Sequence, residues 1–308
     1  MAEWKEGEAF PPGLRHTPVD LGTYEVQSVE WLDLRREGIG ASDSPSILGA
    51  PGAFSTSLGV WAQKIDYDSS ETVDERRDEL FHFGNKMEPL IASELMERTG
   101  YEVRQEPRTL AHPDNVFIHA NLDGWVCVDG VWGPAEFKNV GAYVADQWLE
   151  EVPLKYQVQI QHQMYVTGAD VAVAAALIGG NQFLWSTLER NEEFIDAMVN
   201  KLKRFWVMVD ENIMPTVGEA DLEMLKQLAD TEVDACEVLP FEAVEWAAMI
   251  AQAKAEIKNL TEIRRETEAK VWAALGNAAI GELPNNSGQF IVSINKHGTK
   301  SLRYKETK

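Results

Sequence analysis

The chain has 308 residues, 44% hydrophobic and 25% charged, the make-up of a soluble globular protein with room for one large domain or two ordinary ones. No signal-peptide pattern opens it and no apolar run approaches the roughly 18 residues of a membrane span, which points to the cytoplasm and to no membrane partner. Its two cysteines, Cys127 and Cys236, are too few for an iron–sulfur cluster, its six histidines lack zinc-site spacing, and 28 basic against 50 acidic residues give a net charge of −22. Such a surface repels a polyanion at long range unless basic groups line an enclosed channel. Taken at face value, the same charge describes an acidic protein that mimics DNA and occupies a basic partner.

Residues 1–24 hold three prolines and no periodicity, and read as an irregular arm. Apolar spacing predicts a short helix over 26–36. In GIGASDSPSILG, Gly38 and Gly40 permit unusual backbone angles, Ser42 suits an N-cap, and Pro45 suits a first helical turn. A helix start behind a glycine-bearing loop offers backbone N–H groups to an anion, and Arg35 can add a bidentate phosphate contact. A second helix covers 57–65 with Trp61 in the core. The acid-rich residues 66–79 begin as a loop. The helix that follows ends at Thr99, with Phe83, Met87, Leu90, Ile91 and Met96 facing the core and Pro89 starting or kinking it beside Glu88.

YEVRQE, RTLAH and NVFIHANLD read as strands of one sheet leading into a hairpin: an apolar run over 125–128, a tight Asp129-Gly130 turn, and a second strand through Ala135, Glu136, Phe137 and Lys138. Strand period two puts Glu136 and Lys138 on one face and Phe137 in the core. Asp123 closes on them from the end of the first strand. Two carboxylates and an ammonium on one face are costly unless a divalent cation joins them. Short helical segments follow near 143–149 and 153–166. In the second, Gln159 shares a face with Tyr156 and with Gln163. DVAVAAALIGG is apolar enough for a strand buried on both faces, QFLWSTLER is a further strand, and a helix covers 192–211. Residues 218–280 read as helical, a hairpin or coiled-coil surface, and the chain closes on a β-hairpin around His297-Gly298. That tail reverses the charge, with Lys296, Lys300, Arg303, Lys305 and Lys308 against Glu306.

The spacing Asp-x12-Glu-x-Lys resembles the core of the PD-(D/E)xK nuclease superfamily. Six motifs in order, RREGIGASDSPSILG, GNKMEPLIASELMERTG, ANLDGWV, AEFK, YQVQIQHQMYVTG and ALIGG, resemble the YqaJ-type phage recombination exonucleases, relatives of phage lambda exonuclease. They run from residue 31 to about 210 and leave 215–308 unmatched. The resemblance implies an α/β, restriction-endonuclease-like core over 25–214, a mixed central sheet flanked by helices, followed by a helical extension with a terminal hairpin. It implies Mg²⁺, or Mn²⁺ as substitute, held by Glu88, Asp123, Glu136 and the backbone carbonyl of Phe137. Lys138 and Gln159 would orient the attacking water, and Arg35 and Ser42 would hold a terminal 5′ phosphate. The implied activity is 5′-to-3′ degradation of double-stranded DNA ends, leaving 3′ overhangs for a single-strand annealing protein. The implied setting is a trimeric ring in a bacterial host cell, encoded by a phage or prophage. A structure-specific endonuclease is the alternative with the same site; a non-catalytic DNA mimic or scaffold is the alternative without it.

Overall fold

The computed structural model describes residues 4–5, 7–24, 28–65, 75–105, 108–229 and 236–306. The expected loop falls on residues 66–74, outside the described residues. The chain divides into two compact units, Met1–Asp230 and Thr231–Lys308.

The first unit is α/β with two sheets. Its five-stranded sheet runs β3 (Glu102–Arg104), β6 (Gly124–Val128), β7 (Val131–Val140), β8 (Val171–Ile178), β9 (Gln182–Glu189). The sheet is mixed: β7 and β8 are parallel, the other neighbours antiparallel. A parallel pair needs a crossover, and α6 (Leu154–Thr167) supplies it. β6 and β7 close through Asp129 and Gly130, whose φ angles of 51° and 84° match the two positive values of a two-residue hairpin turn. β8 is buried along most of its length, as its small apolar residues require.

The expected single sheet is corrected. β4 (Thr109–His112) and β5 (Asn115–Asn121) leave it and form a four-stranded sheet, in the order β1-β4-β5-β2, with β1 (Val19–Gly22) and β2 (Ile39–Gly40). The cause is a competing partner that lies far away in sequence: β1, inside the stretch expected as an irregular arm, takes one edge of β4. The arm is also anchored by Trp4, 2% exposed, edge-on to Trp132 at 5.0 Å between ring centroids. Arg104 stacks over Trp4 at 4.5 Å.

Helices set the frame of the site. α1 (Val29–Arg36) is capped by Ser28, whose hydroxyl accepts the Trp31 N–H. α2 (Ser44–Leu48) has Asp43, not Ser42, at its cap position, and Asp43 makes no side-chain cap bond because Arg35 and Lys64 engage it. α3 (Ser57–Lys64) buries Trp61 as expected. α4 (Glu75–Thr99) passes through Pro89 without ending. Its core row is Met87, Ile91 and Leu95, one residue per turn, while Phe83, Leu90 and Met96 are exposed, so three of the five expected core positions are corrected. A short turn of helix, α5 (Asp146–Leu149), buries Trp148. α7 (Glu192–Asp210) covers the core with Ile195, Met198, Leu202 and Phe205. α8 (Leu222–Leu228) adds Met224, Leu225 and Leu228 to the same core, which carries the first unit past the expected boundary at 214.

The second unit holds one 33-residue helix, α9 (Ala243–Leu275), rather than a helical hairpin. The terminal hairpin forms as β11 (Gly288–Ile294) and β12 (Lys300–Glu306), with β10 (Ile280–Glu282) as a third strand. Among the described residues no helix is long and apolar enough to cross a membrane.

Candidate active site

β6 ends at Gly124, opposite Ala135, while β7 runs on to Val140. Beyond that end no strand among the described residues pairs with the edge of β7 on this side, and Asp123 takes its place. Its Oδ2 accepts the Phe137 N–H at 2.8 Å. In a strand the N–H and C=O of one residue point to the same edge, so the Phe137 carbonyl faces the side on which Asp123 sits. The Phe137 ring is in the core, 2% exposed, against Ile91 and Leu95.

Glu136 and Lys138 lie on the opposite face, where α6 packs. The Glu136 carboxylate, on a residue 1% exposed, accepts the Nε2–H groups of Gln159 and Gln163, each at 2.6 Å and each on its own oxygen. Two charge-neutral donors held by a helix fix its rotamer. Lys138 forms an ion pair with Glu136 and lies 3.9 Å from Asp123 Oδ2. Burial opposes the Lys138 charge, but Glu136 and Asp123 more than offset this and hold its pKa above the ordinary lysine value. α4 packs against β7 and brings Glu88 into the same field. Burial pushes Glu88 up, Lys138 pulls it part of the way back, and Glu136 adds to the rise, which reaches about 7. Burial and then Glu136 raise Asp123 to about 8 against the pull of Lys138.

Three carboxylates against one ammonium leave this group short of positive charge, and the single ammonium does not offset the rise that burial imposes on Glu88 and Asp123. The buried Oε1 atoms of Gln159 and Gln163 have no hydrogen-bond partner among the described residues. Carboxylates, amide oxygens and an edge carbonyl are hard oxygen donors, the chemistry Mg²⁺ and Mn²⁺ prefer, while among the described residues no three acids stand close enough together to hold a metal ion as placed.

Arg35 and Ser42 stand in a second group. Arg35 is in the last turn of α1, over the Trp31 ring at 4.9 Å, and its NH2 donates to Asp43 Oδ1 at 2.9 Å. Asp43 Oδ2 accepts from Lys64 at 2.7 Å and from the Gly40 N–H at 3.0 Å. Ser42 lies in the turn before Asp43. β2 pairs parallel with β5, setting Gly40 beside His119. Gly38 must lack a side chain, since a Cβ there would lie 2.2 Å from His119 Nε2.

Helix α6 joins the two groups. His162, fully buried between Gln161 and Gln163, donates from Nε2 to the His119 carbonyl at 3.0 Å, so its Nδ1 accepts the Ser44 hydroxyl at 2.6 Å. Burial holds His162 neutral, with a pKa of about 4. The structure thus joins Asp123, Glu136, Lys138, Gln159 and Phe137 by hydrogen bonds and ion pairs, sets Glu88 within their electrostatic field, and bonds Arg35 to Asp43, the neighbour of Ser42. Asp43, Lys64 and His162 were not singled out by their spacing, and Gln163 was given no role. Only Gln163 carried a signal, its position one turn after Gln159.

A family model described as the YqaJ-like viral recombinase domain matches residues 30–170, a span that contains every residue of both groups. The uncharacterized protein YqaJ of Bacillus subtilis (strain 168) is 31% identical over 291 residues, 91% of this chain and 88% of that protein. Among solved structures, LHK-Exo in complex with dAMP aligns with a TM-score of 0.50 at 19% identity, over 66% of this chain and 100% of its own. A second structure of this alkaline exonuclease from Laribacter hongkongensis gives 0.47 at 17% identity over the same shares, 66% and 100%. At 19% identity the first of these structures shows a shared fold alone. The sequence match to YqaJ goes further: the chain belongs to the YqaJ-like viral recombinase domain family.

Proposed function

We propose that the chain is a metal-dependent exonuclease that degrades one strand of double-stranded DNA from its 5′ end. Its product is a 3′ overhang, suited to recombination through a single-strand annealing protein. The observation that carries this reading is the group of Glu88, Asp123, Glu136 and Lys138, three acids against one ammonium, in a chain with the fold of an alkaline exonuclease. Glu88, Asp123, Glu136 and the Phe137 carbonyl would hold Mg²⁺, with Mn²⁺ as substitute, and the ion would supply Lewis-acid charge beside the phosphodiester.

The chain's own groups do the rest. Lys138, kept protonated by Glu136 and Asp123, donates to an oxygen that gains negative charge as the bond to phosphorus breaks. Gln159 and Gln163 hold Glu136 in one orientation, and Gln159 lies close enough to the same carboxylate to help place the attacking water. Arg35 and Ser42 receive the terminal 5′ phosphate, and α6 sets their separation from the acids through His162. A homo-oligomeric ring, a trimer foremost, would face basic groups inward and so reconcile DNA binding with a net charge of −22.

Linear duplex DNA labelled at the 5′ or the 3′ end, incubated with Mg²⁺ or EDTA beside a closed circle, tests the reading. Early, Mg²⁺-dependent loss of the 5′ label with the circle intact is the expected result. A cut circle makes the site that of an endonuclease, and intact DNA throughout returns the acidic mimic or scaffold.

A further inference from the structure

The group around Asp43 holds two cations for one carboxylate. Lys64, its side chain 1% exposed, lies 2.7 Å from Asp43 Oδ2, while Arg35, 33% exposed, takes the other oxygen at 2.9 Å. Lys64 also donates to the Arg35 backbone carbonyl at 2.6 Å, which ties it to the end of α1. Burial lowers the Lys64 pKa from its ordinary value, the Asp43 carboxylate at 2.7 Å opposes that fall, and the ion pair between them is what holds the Lys64 charge. Burial alone would raise the Asp43 pKa, yet Lys64 and then Arg35 overcome this and keep it below the usual carboxylate range. Asp43 is therefore ionised and already neutralised from inside. Arg35, on the solvent side, is oriented by Asp43 without being cancelled by it. One positive charge is left over, and it faces outward.

We propose that Lys64 determines specificity for the DNA end: by neutralising Asp43 it leaves Arg35 a full positive charge that selects a terminal phosphate monoester over a hydroxyl end. The inference rests on the reading of Arg35 and Ser42 as the 5′-phosphate site. Lys64 acts through Asp43 and is a positioning residue. A buried lysine serving only the fold would leave end preference untouched. One serving charge balance makes that preference follow the net charge of three side chains.

The experiment compares duplexes with 5′-phosphate and 5′-hydroxyl ends in the wild type, Lys64→Met, Asp43→Asn and the double variant, reading kcat and KM separately and checking each fold by thermal melting. Lys64→Met leaves Arg35 paired with Asp43 and the group neutral. The preference for phosphorylated ends then falls on the order of tenfold, through KM. The double variant removes one charge of each sign, restores the single excess positive charge, and recovers the preference. Asp43→Asn alone keeps or raises it, an arm that stands even if Lys64→Met does not fold. An unchanged ratio in Lys64→Met, a double variant no better than Lys64→Met, or a fall in Asp43→Asn overturns the proposal while the exonuclease reading stands. A wild type that degrades DNA with no end preference overturns the 5′-phosphate site and this proposal with it, and a wild type with no Mg²⁺-dependent activity overturns the exonuclease reading as well.

Discussion

Two buried groups, both built around carboxylates, sit against the same helix with opposite charge imbalances. At Glu136 three acids share one ammonium, and two of the acids are pushed up, to about 7 for Glu88 and about 8 for Asp123. At Asp43 one acid shares two cations and is pushed down. Burial raises all three; at Glu88 and Asp123 it prevails over the pull of Lys138, and at Asp43 two cations overcome it. On the reading proposed above, the first group would be completed by a cation and the second by an anion. α6 serves both, holding Glu136 through Gln159 and Gln163 and Ser44 through His162.

The sharpest way to break this comparison is to remove a charge from the first group. Glu136→Gln or Lys138→Ala should lower nuclease turnover by about a thousandfold or more with melting behaviour retained; a folded variant of either kind with near wild-type activity would remove that residue from the site. A smaller effect is expected from Gln163→Leu. It strips one donor from a carboxylate on a residue 1% exposed without altering charge. Turnover should fall by about ten- to a hundredfold, with KM for DNA nearly unchanged. A KM effect with normal kcat would instead place Gln163 on the DNA.

The mildest test is thermodynamic. Glu88 and Asp123 titrate near about 7 and about 8 in the folded chain, above the roughly 4 of unfolded acids. Between these limits the folded state binds more protons than the unfolded state. The stability these acids allow is therefore full at low pH and is lost as pH rises towards about 8. Without divalent ions the melting temperature should drop by several degrees from about pH 6 to about pH 8.5, and Mg²⁺ should recover more of it at the higher pH. A melting temperature that climbs over this range would mean that the acids are not crowded.

Much of the site was legible because its parts are local. The Asp129-Gly130 turn sets the hairpin register, the register puts Glu136 and Lys138 on one face, and helical spacing puts Gln163 one turn beyond Gln159. Of the two outcomes expected of Pro89, it does not start α4, which already runs from Glu75. A proline costs a helix one hydrogen bond, and the packing of Met87, Ile91 and Leu95 against β7 outweighs that loss. Ser42 misled the reading of α2 because a good capping residue is a local preference, whereas the cap position went to Asp43 in its network with Arg35 and Lys64. Lys64 gave no signal at all. A lysine at a helix end ordinarily lies in water, and only the folded chain shows it 1% exposed against an acid.

By itself the sequence determined the strand hairpin, most of the helices and strands between residues 29 and 210, the acidic balance and the ordered motifs of the family, since each depends on neighbours within a turn or a strand. Tertiary structure alone decided that β1 draws β4 and β5 into a separate sheet, that Gln163 and His162 bind across the fold, and that Lys64 is buried beside Asp43. Those outcomes depend on which groups lose water together, and that is settled only when segments distant along the chain close on one another.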